Sequence, residues 1–456
     1  MKVTAVLLAA GQGTRMKSTR PKVLHSLCGK PMVWHVLEAL KSAATEKPVV
    51  VIGHGADEVK KYLGDSADCV LQEPQLGTGH AAMQAESLLR NKTDLVIITY
   101  ADMPLLRGET FVRLVETQRL NLGPFSLVTV VADDPRGFGR IVRKADGTVE
   151  AIVEEYVATP EQKKIKELNV GAYCFKADWL WEALKRISKN PKKGEYYLTD
   201  VVELAVRDNL PVQAVLHDDF METIGINTRV HLAEAEAALR MRINREHMLN
   251  GVSMTDAAST YIDAGVKISR DTAIMPNTYI HGETEIGEGN VIGPDTIIRD
   301  SKIGNRCKIL ASVLEGAIVE DDVDIGPFAR LRKGAHLKSH VHMGNFGEVK
   351  DSTLEAGVKM GHFSYIGNAK IGANTNIGAG TVTANYDGEN KLPTEIGEDV
   401  FIGVDTMLVA PLKLGDGART GAGAIVTKNV AEDTLVVGMP ARPIKKLERK
   451  RKKNSH

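Results

Sequence analysis

The 456-residue chain has only four cysteines, Cys28, Cys69, Cys174 and Cys307, and no two stand in a C-x-x-C pair. That spacing excludes a zinc cluster and a dense disulfide framework. Neither sign of charge is in excess: Lys+Arg and Asp+Glu are both 58, so no bulk field exists to hold a polyanion, which argues against a dedicated nucleic-acid binder. No apolar run approaches the length of a membrane span. The opening MKVTAVLLAAGQGTRM is short and runs into a Gly-rich loop without a cleavage site, so it reads as a strand and not as a signal peptide. The expected address is a reducing cytoplasm, with no membrane or nucleic-acid partner. What is there is an ordinary globular mixture, 43% hydrophobic and 25% charged, on a chain too long for one core.

Three grammars divide the chain, giving expected segments of 1–227, 228–250, 251–443 and 444–456. In the first, β-rich runs such as Val3–Ala9, Pro48–Ile52, Asp94–Thr99, Phe125–Val131 and Val212–Leu216 alternate with helix-like Met32–Ser42 and Gly79–Leu89. This is the pattern of βαβ units: an α/β, Rossmann-like domain with a mixed, mostly parallel sheet and its site at the carboxyl ends of the strands. Residues 228–250 predict one connecting helix with Leu232, Ala235, Leu239, Ile243 and Met248 near one face. The basic run Lys445–Lys453 predicts a solvated, disordered tail.

From about Gly265 a six-residue repeat takes over. Ile268, Ile274, Ile280, Ile286, Ile292 and Ile298 are evenly spaced; the register slips once, then continues through Ile303 and Ile309, and returns later at Ile371, Ile377, Ile396 and Ile402. A period of six fits neither helix nor ordinary strand. It fits a parallel β-helix whose coils each carry three short strands, with the aliphatic residue inside. Interruptions are expected near Met343–Met360 and at the polar stretch Thr383–Thr394. By itself such a solenoid needs no chemistry and is equally suited to oligomerisation alone.

The segment LLAAGQGTRM, then Pro21 and Lys22, follows the first strand. Gly11 and Gly13 let the backbone turn sharply and approach a ligand, with N–H groups turned toward phosphate oxygens; Leu8, Ala9 and Ala10 lead into this candidate nucleotide site, and Arg15 and Lys22 add positive charge. The segment lacks the G-K-[ST] of a P-loop, and Met16 stands where a dinucleotide fingerprint needs its third Gly. It resembles the sugar nucleotidylyltransferases. Followed by a hexapeptide β-helix, the whole order resembles the bacterial family that combines N-acetylglucosamine-1-phosphate uridylyltransferase with glucosamine-1-phosphate N-acetyltransferase, whose β-helix is left-handed.

That resemblance implies roles position by position. VLQEPQLGTGH puts Gln72, Gly77 and Thr78 on uracil; YADMP supplies Tyr100 and Asp102; GFGRI, IVEE and LNVG put Gly139, Glu154 and Asn169 on the sugar; GINTR supplies Asn227. Asp102 and Asn227 are the implied Mg2+ ligands, a sufficient set when phosphates and water fill the remaining positions. Singly, each has a duller reading: an Asp at a strand end as a helix cap, Glu154 beside Glu155 as a solvated edge, Asn169 as a turn residue. Ala101 and Val170 depart from the family's usual Gly and Thr.

In the repeat, GPFARLR, GNFGEVK, GHFSYIGNAKIG and TANYDG resemble the acetyltransferase motifs of the same family. They imply His362 as general base, Arg332 and Lys350 on the sugar phosphate, and Tyr365 and Asn376 beside the reacting sugar. Ala379, Asn385, Tyr386 and Ala422 are implied on acetyl-CoA, with UTP the co-substrate of the other site. Histidine suits the role because its ordinary pKa lies near working pH. Val404 and Met439 depart from the family pattern. The resemblance also implies a homotrimer. Two alternatives stand beside it: a monofunctional sugar nucleotidylyltransferase with an oligomerising β-helix, and a non-enzymatic sugar-nucleotide sensor.

Overall fold

The computed structural model describes residues 1–191 and 193–446. They form two compact units, Met1–Leu239 and the residues from Arg240 on. The first is built on a nine-stranded sheet. Its strands run in the spatial order Val212–His217, Phe125–Val131, Glu167–Lys176, Leu95–Tyr100, Val3–Leu8, Val49–Ile52, Asp68–Leu71. Along this path only Glu167–Lys176 lies antiparallel to its neighbours. The first strand is buried at every position, and its alternation sends Val3, Ala5 and Leu7 into one core layer and Val6 and Leu8 into the other. That strand pairs with Val49–Ile52 on one side and Leu95–Tyr100 on the other. The chain thus winds outward in both directions from it, and a crevice opens at the carboxyl end where the order reverses.

Two elements of this unit differ from the sequence expectation. The helix expected over Gly79–Leu89 is two, Thr78–Gln84 and Glu86–Leu89, parted at Ala85. A hairpin of Arg140–Arg143 with Val149–Val153 carries Gly139 and Glu154 side by side at its open end, and no alternating pattern long enough to announce it exists there. The connecting helix spans Arg229–Leu249; Ala235 and Leu239 are buried but Met248 is exposed, because the face turns to Asn244, whose side-chain amide donates to the carbonyls of Ala257 and Thr260.

The second unit has three sheets, of twelve, ten and nine strands, each strand parallel to its counterpart one coil away until the last pair. Ile268, Ile274 and Ile280 lie against Ile286, Ile292 and Ile298. The interior is a ladder of identical side chains spaced by one coil, and all six are buried. Buried hydroxyls satisfy corner carbonyls: Thr278 donates to Met275 O at 2.7 Å and Thr284 to His281 O at 2.6 Å.

Two repeat expectations and the tail boundary are corrected. The five-residue step is not a single slip; it recurs at Ile309–Leu314–Val319, Val349–Leu354 and Ile366–Ile371. A corner loses one residue there while strand pairing keeps the next aliphatic side chain inward. Met343–Met360 is no interruption: Met343, Val349, Leu354 and Met360 fill successive interior positions, Met and Val standing where Ile was sought. The insertion after Thr383 is real and closes on a Tyr386–Lys391 bridge. Nor does the expected tail begin at 444. Ala441–Lys446 pairs antiparallel with Thr434–Gly438, turning back where Gly438 adopts φ 94°, and the rest of the basic run, from 447, lies outside the described residues.

Candidate active sites

At the carboxyl end of the first strand lies a cavity of about 660 Å³. Its lining includes Leu8, Ala9, Ala10, Gly11, Gly13, Arg15 and Lys22 from the first loop, Gln72, Gly77 and Thr78 from the next, and Tyr100, Asp102 and Asn227. The backbone N–H groups of Gly11, Gln12, Gly13 and Thr14 meet no acceptor among the described residues, so they remain available to an anion. Gly13 is required twice over. Its φ is 61°, and a Cβ there would meet the Lys22 Cβ at 2.7 Å. Gly11, by contrast, looks onto open space.

Lys22 Nζ lies 2.5 Å from Asp102 Oδ2 and 2.9 Å from Asn227 Oδ1, and an Arg15 guanidinium nitrogen is also 2.9 Å from that Asn227 oxygen. Two side-chain oxygens far apart in the sequence, those of Asp102 and Asn227, therefore converge on one cationic position. Among the described residues no cluster of three or more His, Cys, Asp or Glu could hold a metal. A divalent ion at Asp102 and Asn227 would rely on phosphate and water for its remaining ligands, as magnesium readily does.

Gly139, Glu154 and Asn169 do not line this cavity; they sit behind Tyr100. Asn169 N donates to Gly139 O at 2.9 Å, and the Asn169 amide donates to the Tyr173 hydroxyl at 2.7 Å. The Tyr173 hydroxyl in turn bonds with Tyr100, which bonds with Thr78. A bulge between Asn169 and Tyr173 re-aims Asn169. Glu154 accepts from Thr199 at 3.2 Å, and burial raises its pKa against that bond. Burial likewise raises the pKa of the Tyr100 and Tyr173 phenols.

In the second unit the candidate residues flank one corner, between the twelve- and ten-stranded sheets. Phe363 N donates to Asn345 O, Gly380 N to His362 O, Asp405 N to Ala379 O and Gly423 N to Val404 O. Asn345, His362, Ala379, Val404 and Ala422 thus form one column up successive coils. His362 is exposed, and its Nδ1 meets the Asn345 side-chain oxygen. Asn376 precedes the corner on the twelve-stranded sheet; Tyr365 follows it on the ten-stranded sheet, in register with Glu348. Two residues along, Lys350 pairs with Gly367. Arg332 continues that row from the coil before and binds Glu348 at 2.9 Å, which raises its pKa. Asn385 opens the insertion, donating to Asn368 at 2.6 Å; Tyr386 is exposed with Lys391 over its ring at 4.5 Å.

Residues 5–169 match the MobA-like NTP transferase domain, and residues 265–300 match the bacterial transferase hexapeptide of six repeats. Among curated relatives, the bifunctional protein GlmU of Geobacillus sp. (strain WCH70) is 47% identical over 433 residues, 95% of this chain and 94% of its own. That of Halalkalibacterium halodurans is 45% identical over 433 residues, 95% of each chain, and that of Listeria monocytogenes serotype 4b is 43% identical over 431 residues, 94% of each. The chain belongs to the GlmU family. Motif matching to this family had passed over Asn345, Gln12, Gln75 and Glu195, the last three of which line the first cavity. Asn345 stands in GNFGEVK, seventeen residues before His362, which is one coil in this part of the repeat; that spacing was the available signal.

Proposed function

We propose that this GlmU-family protein catalyses two reactions of UDP-N-acetylglucosamine synthesis, one in each unit. The 2-amine of glucosamine-1-phosphate first attacks the thioester carbonyl of acetyl-CoA, releasing coenzyme A. The 1-phosphate oxygen of the acetylated product then attacks the α-phosphorus of UTP, and pyrophosphate leaves.

For uridylyl transfer, Gln72, Gly77 and Thr78 read the base, and Gly139, Glu154 and Asn169 hold the sugar. The unengaged N–H groups of the first loop, with Arg15 and Lys22, take the phosphate charge. Asp102 and Asn227 hold Mg2+, whose bound charge would offset that of the triphosphate; the convergence of their oxygens on one cation supports the pair. Positioning and charge neutralisation carry such a reaction without a nucleophilic side chain.

For acetyl transfer, His362 is the general base. With the Asn345 amide oxygen facing it, Nδ1 carries the ring proton, and Nε2 keeps the lone pair that takes a proton from the sugar amine. Arg332 and Lys350 hold the phosphate, and Tyr365 and Asn376 support the sugar. Acetyl-CoA lies along Ala379 and Ala422, with Asn385 and Tyr386 on its flank. An exposed base needs a wall, and a neighbouring subunit of a homotrimer would supply it. No helix among the described residues is long and apolar enough to cross a membrane, and the four cysteines form no disulfide among them; both suit a cytoplasmic enzyme.

One observation carries the double assignment: relatives named bifunctional match about 95% of the chain, both units included. The test is to mix the purified chain with glucosamine-1-phosphate, acetyl-CoA, UTP and Mg2+, then identify products by mass. UDP-N-acetylglucosamine is expected. UDP-sugar formed only when pre-acetylated substrate is supplied would leave the monofunctional reading standing.

A further inference from the structure

The row of outward positions on the ten-stranded sheet reads Arg332, Lys350, Gly367: two cationic side chains, then none. The gap is filled from the side. A Cβ built on Gly367 would lie 2.4 Å from the Tyr365 hydroxyl, 2.7 Å from its Cζ and 2.9 Å from its Cε1. Contacts that short are not found, so any side chain at 367 must move the ring. Tyr365 itself starts in the neighbouring row, in register with Glu348. Its ring therefore leans across Gly367, and its hydroxyl ends in the row that Lys350 and Arg332 occupy.

Backbone conformation does not demand glycine at this position. Gly367 is not among the residues with positive φ; it ends the strand Tyr365–Gly367 in register with Lys350, and its N–H donates to the Thr383 hydroxyl at 2.8 Å. What its lack of a side chain provides is space.

We propose that Gly367 is a positioning residue for acetyl transfer: by leaving its place in the row empty, it lays Tyr365 across the sheet so that the hydroxyl joins Lys350 and Arg332 at the sugar phosphate. The proposal rests on the assignment of Tyr365 to the acetyl-transfer site. It differs from that assignment in carrying the hydroxyl from the sugar ring to its phosphate, and in naming a residue without functional groups as the one that sets the geometry.

The experiment is a double-mutant cycle on the full-length protein with Gly367→Ala, Tyr365→Phe and the pair, following both reactions and thermal unfolding. Gly367→Ala is expected to lower kcat/KM of acetyl transfer for glucosamine-1-phosphate about ten-fold, comparable to Tyr365→Phe. The pair should be no worse than either single variant, because once the hydroxyl is gone its displacement costs nothing. Uridylyl transfer should be unchanged in all three. Full additivity of the two changes overturns the proposal, as does an unaffected Gly367→Ala beside an impaired Tyr365→Phe. A Tyr365→Phe variant with normal acetyl transfer overturns the assignment of Tyr365 as well. Should Gly367→Ala misfold, the Tyr365→Ala, Gly367→Ala pair, which removes the ring the new methyl would meet, is expected to fold; failure of that pair also overturns it.

Discussion

Lys22 and Asp102 meet at 2.5 Å in the lining of the first cavity, and the ammonium also donates to the Asn227 oxygen at 2.9 Å. The three residues come from the first loop, the end of the fourth parallel strand and the segment before the connecting helix, so the contact ties the site together. It also means that the lysine and a divalent cation compete for the same two oxygens. Asp102→Ala is expected to lower uridylyl transfer at least 100-fold, the scale of losing a main source of charge stabilisation, while acetyl transfer stays within about two-fold. Lys22→Ala should also impair turnover, yet bind Mn2+ at least as tightly as the parent by titration calorimetry. Weaker Mn2+ binding by Lys22→Ala would contradict the competition.

His362 and Asn345 make the corresponding pair in the second unit. His362→Ala should reduce acetyl transfer by about 10²–10⁴-fold, the usual worth of a general base, with uridylyl transfer intact. Asn345→Ala leaves the base in place but releases its tautomer and ring orientation, so a smaller loss, about ten-fold or more, is expected in kcat. Equal activity of Asn345→Ala and parent would remove Asn345 from the mechanism.

Much of this architecture is legible in the order of residues because local rules and global fold agree. The strand before the Gly-rich loop reads as an unbroken apolar run because both its faces are buried, and the six-residue ladder as side chains whose burial repeats with a fixed period. Where the reading stops short, another force decides. Met343 and Met360 hide a continuous coil because the ladder selects for volume and not for Ile. The hairpin that carries Gly139 and Glu154 is too short to show a period. The Gly11–Lys22 loop was readable because few residue types satisfy its steric demands, but the meeting of Lys22 with Asn227, 205 positions apart, is set by sheet order alone. The Asn345–His362 contact follows from coil stacking, which becomes visible only once the register of each corner is known.

The inward and outward positions of the ladder make a direct comparison of energetic weight. Ile298 is fully buried against Ile280 and Leu314, whereas its chain neighbour Ile297 is 37% exposed. Ile298→Ala should destabilise the β-helix by about 2–5 kcal/mol, through lost burial and the cavity left behind. Ile297→Ala should cost well under that, about 0.5–1 kcal/mol for a partly exposed position. Denaturant midpoints of acetyl transfer for the two variants provide the measurement. Similar midpoints would mean that the aliphatic ladder does not hold the coils together.

Asp200 gives the first unit a pH dependence with a definite sign. It closes the turn Leu198–Asp200 beside Glu154, and burial, then the charges of Glu203 and Glu154, push its pKa up to about 6. An unfolded aspartate titrates near its ordinary value of about 3.9. The folded state therefore binds the proton more tightly than the unfolded state, and that contribution is fully present only below the unfolded pKa. It is lost as pH rises through about 6, above which the ionised carboxylate is held in a place that disfavours it. Asp200→Asn keeps the shape and removes the charge. It should raise the thermal midpoint at pH 8, with the gain shrinking below pH 6 and gone by about pH 4. A destabilised Asp200→Asn at pH 8 would show instead that the ionised carboxylate has a favourable partner, and Lys193, whose charge already reaches Glu154, would be the first cation to examine.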